Sequence, residues 1–196
     1  MLIIEHRINW SVKLQNIPEN HGVEIDLRSL NGDIILAHDP FVEGERFVDW
    51  LKFYRNQFLV LNIKEEGIED NIIEILRSRE IENYFFLDQS FPFLIKLIRN
   101  GNSKTAVRVS DFESVNTALA TRPEWCWLDS FGLSWDFLLE SVPLLDSAGI
   151  KTCLVSPELH GRSDTDEIIR LKELINTFRF EFDAVCTKNV QLWKNE

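Results

Sequence analysis

Short β-rich apolar runs recur along the chain, spaced so that a helix fits between most of them. They are Leu2–Glu5, Val23–Leu27, Phe58–Ile63, Tyr84–Leu87, Thr105–Val109, Trp125–Leu128, Lys151–Val155 and Asp183–Thr187. Helical patterns lie between several. Ile68–Ser78 places Ile72, Ile73, Ile75 and Leu76 on one side, with Glu69, Asp70, Glu74 and Arg77 opposite. Asp111–Ala120 opens on an aspartate suited to an N-cap. Ser134–Ser147 opens on a serine and ends before Gly149, and Ser163 or Asp164 starts a helix that runs to Phe178. Alternation of this kind predicts βα units and a parallel sheet.

Spread over eight units, 196 residues leave about 24 for each. A closed (β/α)8 barrel typically needs ~250 residues and at least ~200. The expectation is therefore one domain, 1–196: a compact α/β (β/α)8 TIM barrel with a short or missing first helix, since residues 8–21 include Pro18. Asn31-Gly32 sits between the runs Glu24–Arg28 and Asp33–Ala37, a strong hairpin signal. It predicts a β-hairpin insertion after the second strand, before a helix around Phe47–Tyr54. An open doubly wound sheet is the rival, weakened by the lack of a Gly-rich loop after the first strand.

Lys and Arg total 21 against 32 Asp and Glu, a net charge of −11. Non-specific nucleic-acid or anionic-membrane binding needs the opposite sign, so no nucleic-acid partner is expected. Cys126, Cys153 and Cys186 each lie within apolar runs and read as buried thiols. Met1-Leu2-Ile3-Ile4 leads straight into Glu5-His6-Arg7, unlike an export signal, and no apolar run approaches the ~18 residues of a membrane helix. The reading is a soluble, cytoplasmic protein without membrane insertion; its oligomeric state is open.

Chemistry in a parallel barrel gathers at the carboxyl ends of strands. The first run ends at His6-Arg7, the second carries Glu24-Ile25-Asp26, the returning hairpin strand ends at His38-Asp39, and the third run ends at Asn62-Ile63-Lys64. Residues i and i+2 of a strand share a face, so Glu24 and Asp26 point together. Two adjacent carboxylates call for a cation between them, and oxygen-only donors suit Mg²⁺ or Ca²⁺. Asn62 offers a neutral third oxygen. Lys64 can hold an anion, and two histidines with ordinary pKa near 6.5 can act as base and acid in turn.

Glu5-His6-Arg7, Val23–Leu27, Asn31-Gly32-Asp33 and Ala37-His38-Asp39-Pro40 together resemble the signature of the glycerophosphodiester phosphodiesterases, within the phosphatidylinositol-specific phospholipase C-like superfamily. The specific part spans residues 5–64. The resemblance implies a (β/α)8 barrel and a metal-dependent phosphodiesterase. Residue by residue it implies His6 and His38 as catalytic acid and base, Arg7 as the phosphate-binding arginine and Lys64 as a lysine at the site. Glu24 and Asp26, with Asn62 where the family carries an acid, would hold one divalent cation. The acidic composition and absent export signal favour a small soluble glycerophosphodiester or sugar phosphodiester. The alternative is a non-catalytic barrel that binds a phosphorylated ligand or a protein partner.

Further along, Arg108 stands inside a strand that should be apolar. It reads equally as a phosphate ligand or as a salt-bridge partner of Glu24, Asp88 or Asp129. Asp88 reads first as a turn residue. In the loop Ser156–Arg162, Glu158 and Arg162 are candidates for substrate recognition, whereas His160 reads as solvated.

Overall fold

The computed structural model describes residues 1–132, 134–162 and 165–194. Strands and helices alternate along it. They run β1 (Leu2–Glu5), α1 (Ser11–Leu14), β2 (Gly22–Leu30), β3 (Asp33–Leu36), β4 (Glu45–Arg46), α2 (Phe47–Trp50), β5 (Phe58–Ile63), α3 (Glu69–Ser78), β6 (Tyr84–Leu87) and α4 (Phe91–Arg99). Then follow β7 (Ala106–Val109), α5 (Val115–Thr121), β8 (Trp125–Leu128), α6 (Phe137–Ser147), β9 (Lys151–Val155), a 3-10 turn (Pro157–His160), α7 (Thr165–Phe178), β10 (Ala184–Thr187) and α8 (Val190–Trp193). The fold is α/β, and the first helix is a single turn.

The chain divides into two compact units, Glu5–Lys104 and Met1–Ile4 with Thr105–Glu196. In the first unit β2 runs parallel to β5, and β5 to β6. β2 also continues past its β5 partner and turns back through Asn31-Gly32 into antiparallel β3, with Leu27 opposite Leu36 and Leu30 opposite Asp33. Asn31 and Gly32 have φ of 51° and 87°, the left-handed pair that a two-residue hairpin turn demands. Serving β3 as well as β5 takes β2 to nine residues rather than the five the apolar run predicts.

The core of this unit packs Val23, Ile25 and Leu27 of β2 and Leu59, Leu61 and Ile63 of β5 against Phe47, Trp50, Ile72 and Leu76 from the helices. Trp50 is fully buried, and its indole N–H donates to the Ile8 carbonyl at 3.0 Å. The segment that leaves β1 is thereby tied to α2.

In the second unit β9 runs parallel to both β10 and β8, and β8 to β7. Leu2 N–H donates to Asp183 O at 2.7 Å beside β10. Cys126, Cys153 and Cys186 are buried and form no disulfide. Burial pushes the Cys126 and Cys153 thiols well up, which removes both as neutral-pH nucleophiles.

Several helices differ from the sequence reading: α8 was not expected, and α2 ends at Trp50 rather than Tyr54. α4 was not expected, because FPFLIKLIR is an apolar run whose polar residues, Lys96 and Arg99, fall only in its last turn; Pro92 in its first turn supplies the start. α5 begins only at Val115, capped by Ser114 through the Asn116 N–H. α6 begins at Phe137, since Ser134 Oγ accepts the Asp136 N–H and forms a turn one step earlier. The expected cap of α7 at Ser163 or Asp164 lies outside the described residues. Among the described residues no helix is long and apolar enough to cross a membrane.

Candidate active site

Six of the residues singled out in the sequence meet within the unit Glu5–Lys104. Glu24 and Asp26 point to one face of β2 and both are 0% exposed. Asp26 and Asn62 are register partners on β2 and β5, so their side chains stand side by side. Around the two carboxylates the structure sets a shell of donors. Glu24 Oε2 accepts the Arg7 backbone N–H at 2.7 Å and lies 3.7 Å from His6 Nε2. Glu24 Oε1 accepts Asn62 Nδ2 at 2.9 Å. Asp26 Oδ2 accepts Asn9 Nδ2 at 2.9 Å and lies 3.3 Å from Arg7 Nε. Asp26 Oδ1 lies 3.6 Å from Lys64 Nζ, which in turn sits 3.5 Å from Asp88 Oδ2.

Local backbone geometry builds this cluster. Arg7, at the end of β1, has φ of 56°, and Asp88, at the end of β6, has φ of 55°. Left-handed conformations in non-glycine residues cost of order 1–3 kcal/mol and persist only where surrounding contacts enforce them. At Arg7 the turn aims both the backbone N–H and the guanidinium at β2. At Asp88 it accompanies the carboxylate's approach to Lys64.

His38 follows directly on Ala37, whose N–H donates to Asp26 O at 3.1 Å. Its Nδ1 lies 2.8 Å from Asp39 Oδ1 and the imidazole is 41% exposed. The His38 hydrogen bond, with the charges of His38, Arg7 and Arg28, holds the Asp39 carboxyl below its ordinary range. An ionised Asp39 accepts from Nδ1–H, which leaves Nε2 of a neutral His38 with its lone pair.

Two members of the cluster were not anticipated as such. Asn9 is buried and clasps Asp26 twice: its Oδ1 accepts the Asp26 N–H at 2.9 Å, and its Nδ2 donates to Asp26 Oδ2. An asparagine three residues past His6 carries no local signal of this, because its partner is seventeen residues away. Asp88 read as a turn residue; it is one, and it also pairs with Lys64. Asn9→Leu should cost about 1–3 kcal/mol, since it strands the Asp26 N–H in the interior. Urea unfolding measures this, and a change below a few tenths of a kcal/mol would show that the clasp is dispensable.

Burial first, and the charge of Asp26 second, push Glu24 up from its ordinary 4.5 to about 7, against the opposing pull of Asn62, the Arg7 N–H and Lys64. A carboxyl raised on folding holds its proton in the native state after the unfolded chain has released it. Stability from this group is therefore complete below pH 4.5, declines as the pH rises, and is lost above about pH 7. Glu24→Gln should flatten that decline between pH 5 and 7 in urea titrations. An unchanged slope would remove Glu24 as its source.

The donor set fits a hard cation. Asp26 Oδ1 and Asn62 Oδ1 are buried and accept no hydrogen bond. Two like charges stand on one strand face, and all the acceptors are oxygens, the chemistry of Mg²⁺ or Ca²⁺. Among the described residues no group of three or more His, Cys, Asp or Glu side chains is arranged to hold a metal; the Asn62 amide oxygen is a neutral donor beside the two carboxylates.

Arg108 and Glu158 belong to the other unit and are engaged there. Arg108 donates to Asp129 Oδ2 at 2.8 Å, the salt bridge left open by the sequence. Asp129 Oδ1 lies 2.6 Å from His160 Nε2, so His160 is held rather than simply solvated. Glu158 accepts from Thr187 Oγ1 at 2.5 Å and from the Lys188 N–H at 2.9 Å, and it also meets Ser156 Oγ. Arg162 donates to the Ser130 and Gly132 carbonyls.

No protein-family model matches the chain, and no curated protein matches it by sequence. Solved structures do match it. A glycerophosphodiester phosphodiesterase from Thermotoga maritima superposes with a TM-score of 0.66 over 98% of this chain and 96% of its own, at 19% identity. Two from Parabacteroides distasonis superpose with TM-scores of 0.66 and 0.71, over 98% and 97% of this chain and 94% and 84% of theirs; both are 13% identical. The chain has the fold of the glycerophosphodiester phosphodiesterases. At these identities the likeness establishes the fold and not the activity.

Proposed function

We propose that this protein is a divalent-cation-dependent phosphodiesterase of the glycerophosphodiester phosphodiesterase type, built on a compact (β/α)8 barrel. Its substrate on this reading is a small soluble glycerophosphodiester or sugar phosphodiester. The observation that carries the reading is the buried Glu24–Asp26 pair ringed by Arg7, Lys64 and His6 within a fold shared with such enzymes. A purely structural role gives no reason to bury two carboxylates side by side, which is costly unless the charge is used.

Glu24, Asp26 and Asn62 would hold the cation. When bound, it supplies Lewis-acid stabilisation of charge developing on the phosphoryl oxygens. Arg7 and Lys64 bring the two flexible cations of the cluster, suited to binding the phosphodiester anion and orienting it. His38, its Nδ1–H directed at Asp39, presents Nε2 to take a proton from the attacking hydroxyl. That hydroxyl belongs to water or to the alcohol next to the ester. His6, beside Glu24, returns a proton to the departing alkoxide. The reading rests on residues of the unit Glu5–Lys104 and gives Arg108 and Glu158, engaged in pairs of their own, no role in the chemical step.

The test is hydrolysis of a chromogenic diester, glycerophosphocholine, glycerophosphoinositol and a sugar phosphodiester, each with Mg²⁺, Ca²⁺ or chelator. Turnover of at least one diester, abolished by chelator, is expected. Full activity in chelator would overturn the cation's part in this reading, and inertness toward every diester would favour a barrel that binds without cutting.

A further inference from the structure

The charges around Asp26 nearly cancel before any ligand arrives. Glu24 and Asp26 bring at most two negative charges, and Arg7 and Lys64 bring two positive ones within 3.6 Å of Asp26. Asp88 adds one negative charge on the far side of Lys64. Asn62, the register partner of Asp26, brings an oxygen and no charge, and its Nδ2 is already spent on Glu24. A divalent cation entering this neighbourhood meets two carboxylates, both with donors already facing them, and two side-chain cations close by. Mg²⁺ held by only one or two carboxylates ordinarily completes its shell with substrate phosphate oxygens.

Resting on the reading above, we infer that Asn62 makes the cation site of this protein dependent on the ester: cation and phosphate ester bind as a coupled pair, neither tightly alone. The ester contributes the negative charge that an acid at position 62 would otherwise supply. It also gives Arg7 and Lys64 an anionic partner other than Asp26, which releases Asp26 Oδ1, the oxygen on which no hydrogen bond is spent. Because coupling is reciprocal, the factor by which the ester tightens cation binding equals the factor by which the cation tightens ester binding.

Calorimetric titration of the full chain with Mg²⁺ tests this, with and without saturating glycerol 3-phosphate, a phosphate ester without a diester bond to cleave. The expected result is Mg²⁺ affinity raised about tenfold or more by the ester, with the same factor when the order of titration is reversed. Asn62→Asp is expected to bind Mg²⁺ alone about tenfold more tightly than the parent and to lose most of the coupling. Should that variant fail to fold, Lys64→Gln serves instead. It removes a competing cation and is expected to tighten Mg²⁺ binding in the absence of ester.

Equal Mg²⁺ affinity with and without ester overturns the inference, as does absence of Mg²⁺ binding under both conditions. Coupled binding in a protein that hydrolyses no diester would leave the inference standing and remove the hydrolase function, so the two failures are distinguishable.

Discussion

Replacing His6 by alanine is expected to lower phosphodiester turnover by about 10²–10⁴-fold, the range ordinarily lost with a positioned acid or base. The fold should survive, because the His6 side chain is 12% exposed and stands beside β2 rather than within it. His38→Ala should cost a similar factor and leave the fold intact, since its imidazole is 41% exposed and its Nδ1 pairs with Asp39. If the two histidines act as a unit, the double variant should fall little further than either single one. Each single variant should also lose one limb of the pH–rate profile. The readouts are kcat and its pH dependence, with melting temperature as the control. A His6→Ala enzyme that retains more than a tenth of parental kcat would sink the two-histidine mechanism.

Trp50→Ala should be the most damaging single change to the fold. The indole is fully buried, stacks on Phe47 at 6.4 Å and Tyr54 at 5.7 Å between ring centroids, and donates to Ile8 O. Truncating a buried tryptophan costs about 3–5 kcal/mol, through lost burial and the cavity left behind. At this chain length that lowers Tm by roughly 10 °C. Trp50→Phe keeps most of the apolar volume and strands the Ile8 carbonyl, so about 1–3 kcal/mol is expected from the missing donor. The change bears on the site as well, because Ile8 follows Arg7 and its N–H donates to Glu24 O at 2.9 Å. Chemical denaturation of both variants separates the packing from the hydrogen bond. A Trp50→Ala loss under 1 kcal/mol would show that the core closes over the gap.

The hairpin at Asn31-Gly32 and the alternating strands were legible because turn chemistry and side-chain period are local properties. α4 was not, since its polar side is a narrow stripe, Lys96 and Arg99, within an otherwise apolar run. Six candidates at the site, His6, Arg7, Glu24, Asp26, Asn62 and Lys64, were visible because each lies at or near a strand end and the alternation of a strand fixes a shared face. Asn9 was not, because what matters about it is a double hydrogen bond to a residue on another strand.

Arg108 marks the boundary between the two kinds of information. Its charge inside an apolar strand announced a partner, but three acids were equally eligible on sequence, and only the register of β7 with β8 brought Asp129 to it. The same holds at the site. The chain by itself determined which groups carry charge, which strand face they share, and that residue 62 is a neutral amide. The tertiary structure decided that Asn62 stands beside Asp26, that its N–H is spent on Glu24, and that Lys64 sits between Asp26 and Asp88. Charge and alternation are carried by each residue and its near neighbours. Register, burial and the pairing of buried charges are set between strands distant in sequence, and it is those that give the carboxylates of β2 their chemistry.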